Sequence, residues 1–263
     1  MYQSFAKSLV ASALCISSLV ALAQDAAIPR HLQLAREFVT NTKQENNSYS
    51  NRNIYTRMPG DLFASEYVVA TDCGGFVEDM FRRTNSGVLE QLKTKKFKTR
   101  FSIFDWHPSI EKQEAFTRIL KVTDIKPGDV AAWLYTEKVT HTLPGHILFI
   151  DSPPVKLEKP RKPLVDGLDQ YEVTIIDTSQ EAKSRDDTRF VSDAALRDEN
   201  EAKGKQRGSV ASPNYKGVGR GHIRFYADAA GDIKGIAFSF DKAKFHGLDD
   251  WNILVGRPKL IAK

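Results

Sequence analysis

Cysteine-based acyl transfer needs a thiolate that attacks a carbonyl, an imidazole that moves the proton, and a polar group that orients the imidazole. Cys73 is the residue of this chain best suited to the first role. It lies in Tyr67-Val-Val-Ala-Thr-Asp-Cys73-Gly-Gly-Phe-Val-Glu-Asp-Met-Phe81, and the run after it reads as a helix starting at the cysteine. Unsatisfied backbone N–H groups in a first helical turn stabilise a thiolate, so this placement predicts a lowered thiol pKa. The competing reading is a small inert core residue, a common fate of a free cysteine.

Six histidines compete for the second role: His31, His107, His141, His146, His222 and His246. His146 follows Gly145 at the head of the apolar run Ile147 to Ile150, so its ring can stand at a sheet end while the strand anchors its backbone. His222 follows Gly221 before another apolar run, and pattern alone leaves both open. For the third role, Asp177 ends the next strand-like run and can accept the imidazole N–H. A solvated turn aspartate before Thr178-Ser179 fits its spacing equally well.

Two further signals point to other chemistry only at first sight. Gly217-Val-Gly-Arg-Gly221 has the glycine content of a phosphate loop, but a strand-like run follows it where such a loop needs a helix. It reads as a turn or bulge. Thr140-His-Thr-Leu-Pro-Gly-His146 fits no zinc-site template, because Pro144-Gly145 breaks any helix that would align the rings. No metal or other cofactor is expected.

The elements that must position these residues follow from periodicity. Ile28 to about Gln44, Cys73 to about Arg83, Val88 to Leu92 and Pro108 to Leu120 read as helices, with Glu45 to Asn53 a polar loop. Gly128 to Tyr135, Gly145 to Asp151 and Tyr171 to Asp177 read as strands, and Ile223–Tyr226, Ile233–Phe240 and Ile253–Val255 supply up to three more. Helices first and strands afterwards predict an α+β domain with an antiparallel sheet. Pro153 to Pro163 carries four prolines among basic residues and predicts an extended excursion. From Gln180 to Arg207 half the residues are charged, which predicts an exposed insertion over about 180–215, helical around Ala194 to Ala202.

Asp72-Cys73-Gly-Gly-Phe-Val77, then Pro127-Gly-Asp-Val130, then Gly145-His146-Ile147, resemble the NlpC/P60 superfamily of papain-like cysteine peptidases. The resemblance covers roughly residues 65–180. It implies N-terminal helices packed on an antiparallel sheet, with Cys73 as nucleophile, His146 as base and Asp177 as third member. Gly74 stands where the family carries serine, and the family's aromatic stretch upstream of the cysteine is absent, leaving Tyr67 or Tyr55 to line the site. The long interval between Cys73 and His146 also implies a divergent branch.

The wider chain sets the context. Lys7, an apolar stretch from about Leu9 to Leu22 and Ala21-Leu22-Ala23 read as a signal peptide over residues 1–23, too short in its apolar part to span a bilayer. Leu14 before Cys15 argues against a lipidation site. Residues 24–263 then form a single exported domain, periplasmic or extracellular, with no later apolar segment able to cross a membrane. Export also makes an unpaired thiol notable, because oxidising compartments favour disulfides. The net charge of +5 is mild. The densest basic run, Lys93 to Arg100, is a solvated surface by default, and nucleic acid is not an expected partner. The implied activity is a hydrolase cleaving amide bonds in peptidoglycan stem peptides. The same triad would serve an amidase, acyltransferase or transglutaminase-like enzyme, and the same fold could be a non-catalytic binding module.

Overall fold

The computed structural model describes residues 28–52, 54–92, 100–136, 144–191, 216–241 and 244–261. The signal-like segment 1–23, His141, the basic run 93–99 and residues 192–215 of the charged segment lie outside the described residues.

The fold is α+β, organised on a large antiparallel sheet. Its strands are β4 (Phe116–Ile119), β5 (Val130–Tyr135), β6 (Gly145–Ile150), β7 (Val155–Lys156), β8 (Asp169–Ser179), β9 (Gly217–Ala227), β10 (Ile233–Ala237), β11 (His246–Gly247) and β12 (Trp251–Pro258). They lie side by side in the order β11-β10-β9-β8-β6-β5-β12-β4, with the short β7 added on β8. The two long strands, β8 and β9, pair along their whole length, from Asp169 opposite Ala227 to Ser179 opposite Gly217. A small second sheet joins β1 (Asn47–Tyr49), β3 (Val68–Thr71) and β2 (Tyr55–Arg57), with β1 parallel to β3.

Alternation along the strands divides the core in two. Ile147, Phe149 and Ile176 face the helices α1 (Arg30–Asn41), α2 (Cys73–Arg83), α3 (Val88–Gln91) and α4 (Ile103–Glu111), packing with Phe38, Phe76, Met80, Phe81 and Trp106. Each of those fully buried large side chains contributes about 1.5–3 kcal/mol of apolar burial. Leu148, Ile150, Ile175 and Val173 belong to the second cluster, with Trp133, Ile223 and Trp251. The helix predicted over Cys73 to Arg83 has those bounds, with Phe76, Val77, Met80 and Phe81 buried as its periodicity requires.

Three segments differ from expectation. The helix read over Pro108 to Leu120 runs from Ile103 to Glu111 and is followed by strand β4. Ser102 and Asp105 form a capping box, with the Ser102 N–H donating to Asp105 Oδ2 at 2.8 Å, which starts the helix earlier. Within the polar loop, Asn47–Tyr49 is a strand against Val69–Thr71, a segment too short and too polar to show alternation. Finally, Gly217 to Gly221 is neither turn nor bulge but the opening half of β9.

Candidate active site

Cys73 is the first residue of α2, directly after β3. Asp72 caps the helix, its Oδ1 accepting from the Gly75 N–H at 2.8 Å, and its other oxygen is paired with Arg100. Gly75 is small because a Cβ there would lie 2.3 Å from Thr71 Oγ1 and 2.7 Å from an Ile54 methyl. The thiol is unpaired and buried, 9 % exposed, among the residues of the helix-side cluster. It sits against the backbone N–H of Ile147, the residue after His146, and against those of Gly74 and Cys73 itself.

The expected depression of the thiol pKa does not occur. Burial pushes Cys73 up to about 11, and the Asp177 charge acts in the same direction, while the three backbone N–H groups oppose it without prevailing. First-turn donors lower a thiol pKa where water can also reach the sulfur. Here the apolar surroundings outweigh them, and the resting thiol is protonated.

His146 and Asp177 are brought together. His146 opens β6 and Asp177 lies near the end of β8, and His146 Nε2 stands 2.8 Å from Asp177 Oδ2. Both side chains are buried. Burial pushes the Asp177 carboxyl up, but Arg189, Lys183 and the His146 bond outweigh it and hold the group well below the usual carboxylate range. An ionised carboxylate can only accept, so Nε2 carries the proton and Nδ1 holds the lone pair. Burial draws the imidazole pKa below its ordinary value despite Asp177, aided by Lys183 and Arg189. Gly145 permits the close approach of β6 to β5 at this point, since a Cβ would meet the Trp133 carbonyl oxygen at 2.0 Å.

The sulfur and the ring come to β6 in different company. Cys73 packs with Ile147 and Phe149, whereas the His146 ring lies 5.1 Å from Trp133 and 4.9 Å from Phe238. Among the described residues no hydrogen bond joins the Cys73 sulfur to the His146 imidazole. At rest the thiol is neutral and the carboxylate-oriented imidazole is neutral, and the two are not joined as an ion pair.

The described start of the charged segment, 180–191, is exposed in part: Gln180, Glu181, Arg185 and Asp186 are exposed. Lys183, Ser184, Asp187 and Arg189 are buried. Arg189 donates to both the Asp177 carboxylate and its backbone carbonyl, the latter at 2.7 Å, and to Asp187 Oδ2 at 2.8 Å. Lys183 Nζ donates to Ser179 Oγ at 2.7 Å, lies 3.9 Å from Asp177 Oδ2 and sits 3.7 Å above the Phe238 ring. Burial lowers Lys183 to about 8, with Asp177 opposing. Charge density in sequence does not reveal which charges find buried partners, as Lys183, Asp187 and Arg189 do around Asp177.

The other described histidines are engaged elsewhere. His31 Nε2 bonds the Gly128 carbonyl at 2.9 Å, and burial draws it down to about 4. His107 Nε2 bonds the Asn252 carbonyl at 2.7 Å. His246 stacks on Trp251 at 3.6 Å. His222 lies between Glu172 and Asp186, at 2.8 and 3.2 Å.

Of the two tyrosines considered for lining the site, Tyr67 bonds Glu37 and Tyr55 is exposed beneath Arg57. The phenols whose titration a Cys73 thiolate would raise further are Tyr49 and Tyr135, both raised chiefly by burial. Tyr49 arrives through the β1–β3 pairing, which sets it opposite Thr71, two residues before the cysteine. A cleft of about 480 Å³ lies along another face of α2, lined by Tyr55, Thr56, Gly75, Arg82 and Arg100, and Cys73 is not among its lining residues.

No protein-family model matches the chain, and no solved structure matches it. The chain is similar to an uncharacterized protein of Acanthamoeba polyphaga mimivirus, 26 % identical over 183 residues that cover 67 % of this chain and 71 % of the viral one. Among the described residues no helix is long and apolar enough to cross a membrane.

Proposed function

We propose that the protein is a cysteine hydrolase of papain-like, NlpC/P60-like architecture that cleaves amide bonds in peptidoglycan stem peptides after export. The observation that carries this reading is the 2.8 Å contact between His146 Nε2 and an ionised Asp177, one residue from the backbone N–H that holds the Cys73 sulfur. An imidazole fixed as its Nε2–H form presents Nδ1 as a base.

Because thiol and imidazole are both neutral at rest, proton transfer accompanies attack rather than preceding it. Attack requires the Cys73 sulfur and His146 Nδ1, which have different neighbours at rest, to come within reach as substrate enters while Nε2 stays on Asp177. Nδ1 then takes the thiol proton as the S–C bond forms. The imidazolium then protonates the departing amine. Water, deprotonated by the same nitrogen, cleaves the thioester and frees Cys73. Backbone N–H groups at the start of α2 stabilise the oxyanion.

One observation favours a second reading, a non-catalytic binding module of the same fold: the buried thiol, raised to about 11 and not hydrogen-bonded to the imidazole. Incubation with purified muropeptides and, separately, with acyl donors, followed by mass spectrometry, decides among the readings. Stem-peptide fragments that disappear in Cys73→Ser and His146→Ala are the expected result. Products from acyl donors alone would replace the hydrolase with an amidase or acyltransferase. If neither set yields products or a covalent adduct on Cys73, the binding module stands.

A further inference from the structure

We infer that Arg189, held in a trough that glycines open on β9, is a positioning residue that fixes the Asp177 carboxylate so that Oδ2 alone faces the His146 ring. The inference rests on the reading of His146 as base and Asp177 as its orienting group.

The local arrangement begins with the pairing of the two long strands. Asp177 stands opposite Gly219 across the β8–β9 ladder, so its nearest cross-strand neighbour has no side chain. The Arg189 side chain fills that space: a Cβ on Gly219 would lie 2.6 Å from both Cγ and Nε of Arg189. Two residues along, a Cβ on Gly221 would lie 2.4 Å from Asp187 Oδ2. The spacing of two puts Gly219 and Gly221 on one face of the strand, and the segment 183–189 lies flat on that face.

In this trough the guanidinium is held from several sides. Nε donates to the Gly217 carbonyl at 3.1 Å, and one terminal nitrogen donates to Asp187 Oδ2 at 2.8 Å. The other terminal nitrogen grips Asp177 by its carbonyl oxygen and by Oδ1. A planar fork anchored at so many points leaves the carboxylate one orientation. With Oδ1 occupied, Oδ2 is left to accept from the imidazole. Lys183, 3.9 Å from that same Oδ2, is the group that would draw the carboxylate away if the grip failed.

The test reads the tautomer of His146 by imidazole ¹⁵N shifts in the full-length protein, at a pH where the ring is neutral. Wild type is expected to show the Nε2–H form. Arg189→Met and Gly219→Ala, the second of which displaces the arginine without removing any polar group, are expected to show a comparable share of the Nδ1–H form. Arg189→Lys is expected to restore the Nε2–H form in part. Folded variants, judged by near-UV circular dichroism, that keep the wild-type tautomer would overturn the inference. Should Arg189→Met fail to fold, Gly219→Ala decides alone. The readout needs no turnover, so a protein inactive on muropeptides can still pass this test while the hydrolase reading falls.

Discussion

The two faces of the sheet at β6 are stabilised by different physics. On the helix side, Cys73 lies among Phe76, Phe149, Ile147 and Ile176, a dry apolar cluster in which any charge is unfavourable. On the other face, His146 and Asp177 are surrounded by Lys183, Arg189 and Asp187, a buried ionic network in which every charge has a partner. The first environment protonates its thiol, and the second keeps its carboxylate ionised. Burial alone therefore does not set protonation: what matters is whether the surroundings supply compensating charge.

The largest expected effect is on the ionic face. Arg189→Met leaves Asp177 and Asp187 buried with Lys183 as their remaining cationic neighbour, and should cost about 3–5 kcal/mol of stability by urea denaturation. A loss under about 1 kcal/mol would mean that water reaches the network and that the two faces do not differ as described.

On the apolar face, Cys73 should react with iodoacetamide at neutral pH on the order of 100-fold more slowly than a free thiol, two pH units being a hundredfold in thiolate. The rate should climb until about pH 11. The folded thiol titrates above the unfolded one, so its contribution to stability is complete below about pH 9 and lost as pH rises towards 11. Rapid labelling near pH 6 that disappears in His146→Ala would instead reveal an ion pair.

Smaller effects sharpen the boundary between the faces at the start of α2. Asp72→Ala removes the cap on Gly75 and the partner of Arg100, and should lower the urea midpoint by an amount equivalent to about 1 kcal/mol. Gly74→Ser should raise stability by about 0.5 kcal/mol, because serine is the better helix former. A Cβ there meets nothing closer than 3.4 Å, and the buried Trp106 Nε1, unpartnered among the described residues, lies 3.6 Å from it. A neutral or negative value in thermal denaturation would show that crowding against the Phe101 carbonyl at 3.4 Å outweighs helix propensity here.

How much of this was legible depended on the range of the interaction concerned. The α2 bounds and the apolar strands β5, β6 and β8 were readable because local periodicity sets them. Choosing His146 over His222 from spacing was not possible, since both follow a glycine and open an apolar run. The structure separates them by their neighbours: His146 meets Asp177, and His222 meets Glu172 and Asp186. Arg189 gave no signal at all, since it sits in a segment whose composition reads as solvated. The period-two glycines of β9 were visible, but their meaning was not, because the residue that fills their trough comes from a separate segment of the chain.

By itself, then, the amino-acid order determined where helices and strands form near the site, which face of each is apolar, and that Cys73 begins a helix. These follow from steric preference and hydrophobic periodicity over a few neighbouring residues. Only the tertiary structure decided the protonation of that thiol, the partner of each histidine and the burial of Arg189. Those depend on the dielectric surroundings and the charges that distant segments bring within a few ångströms.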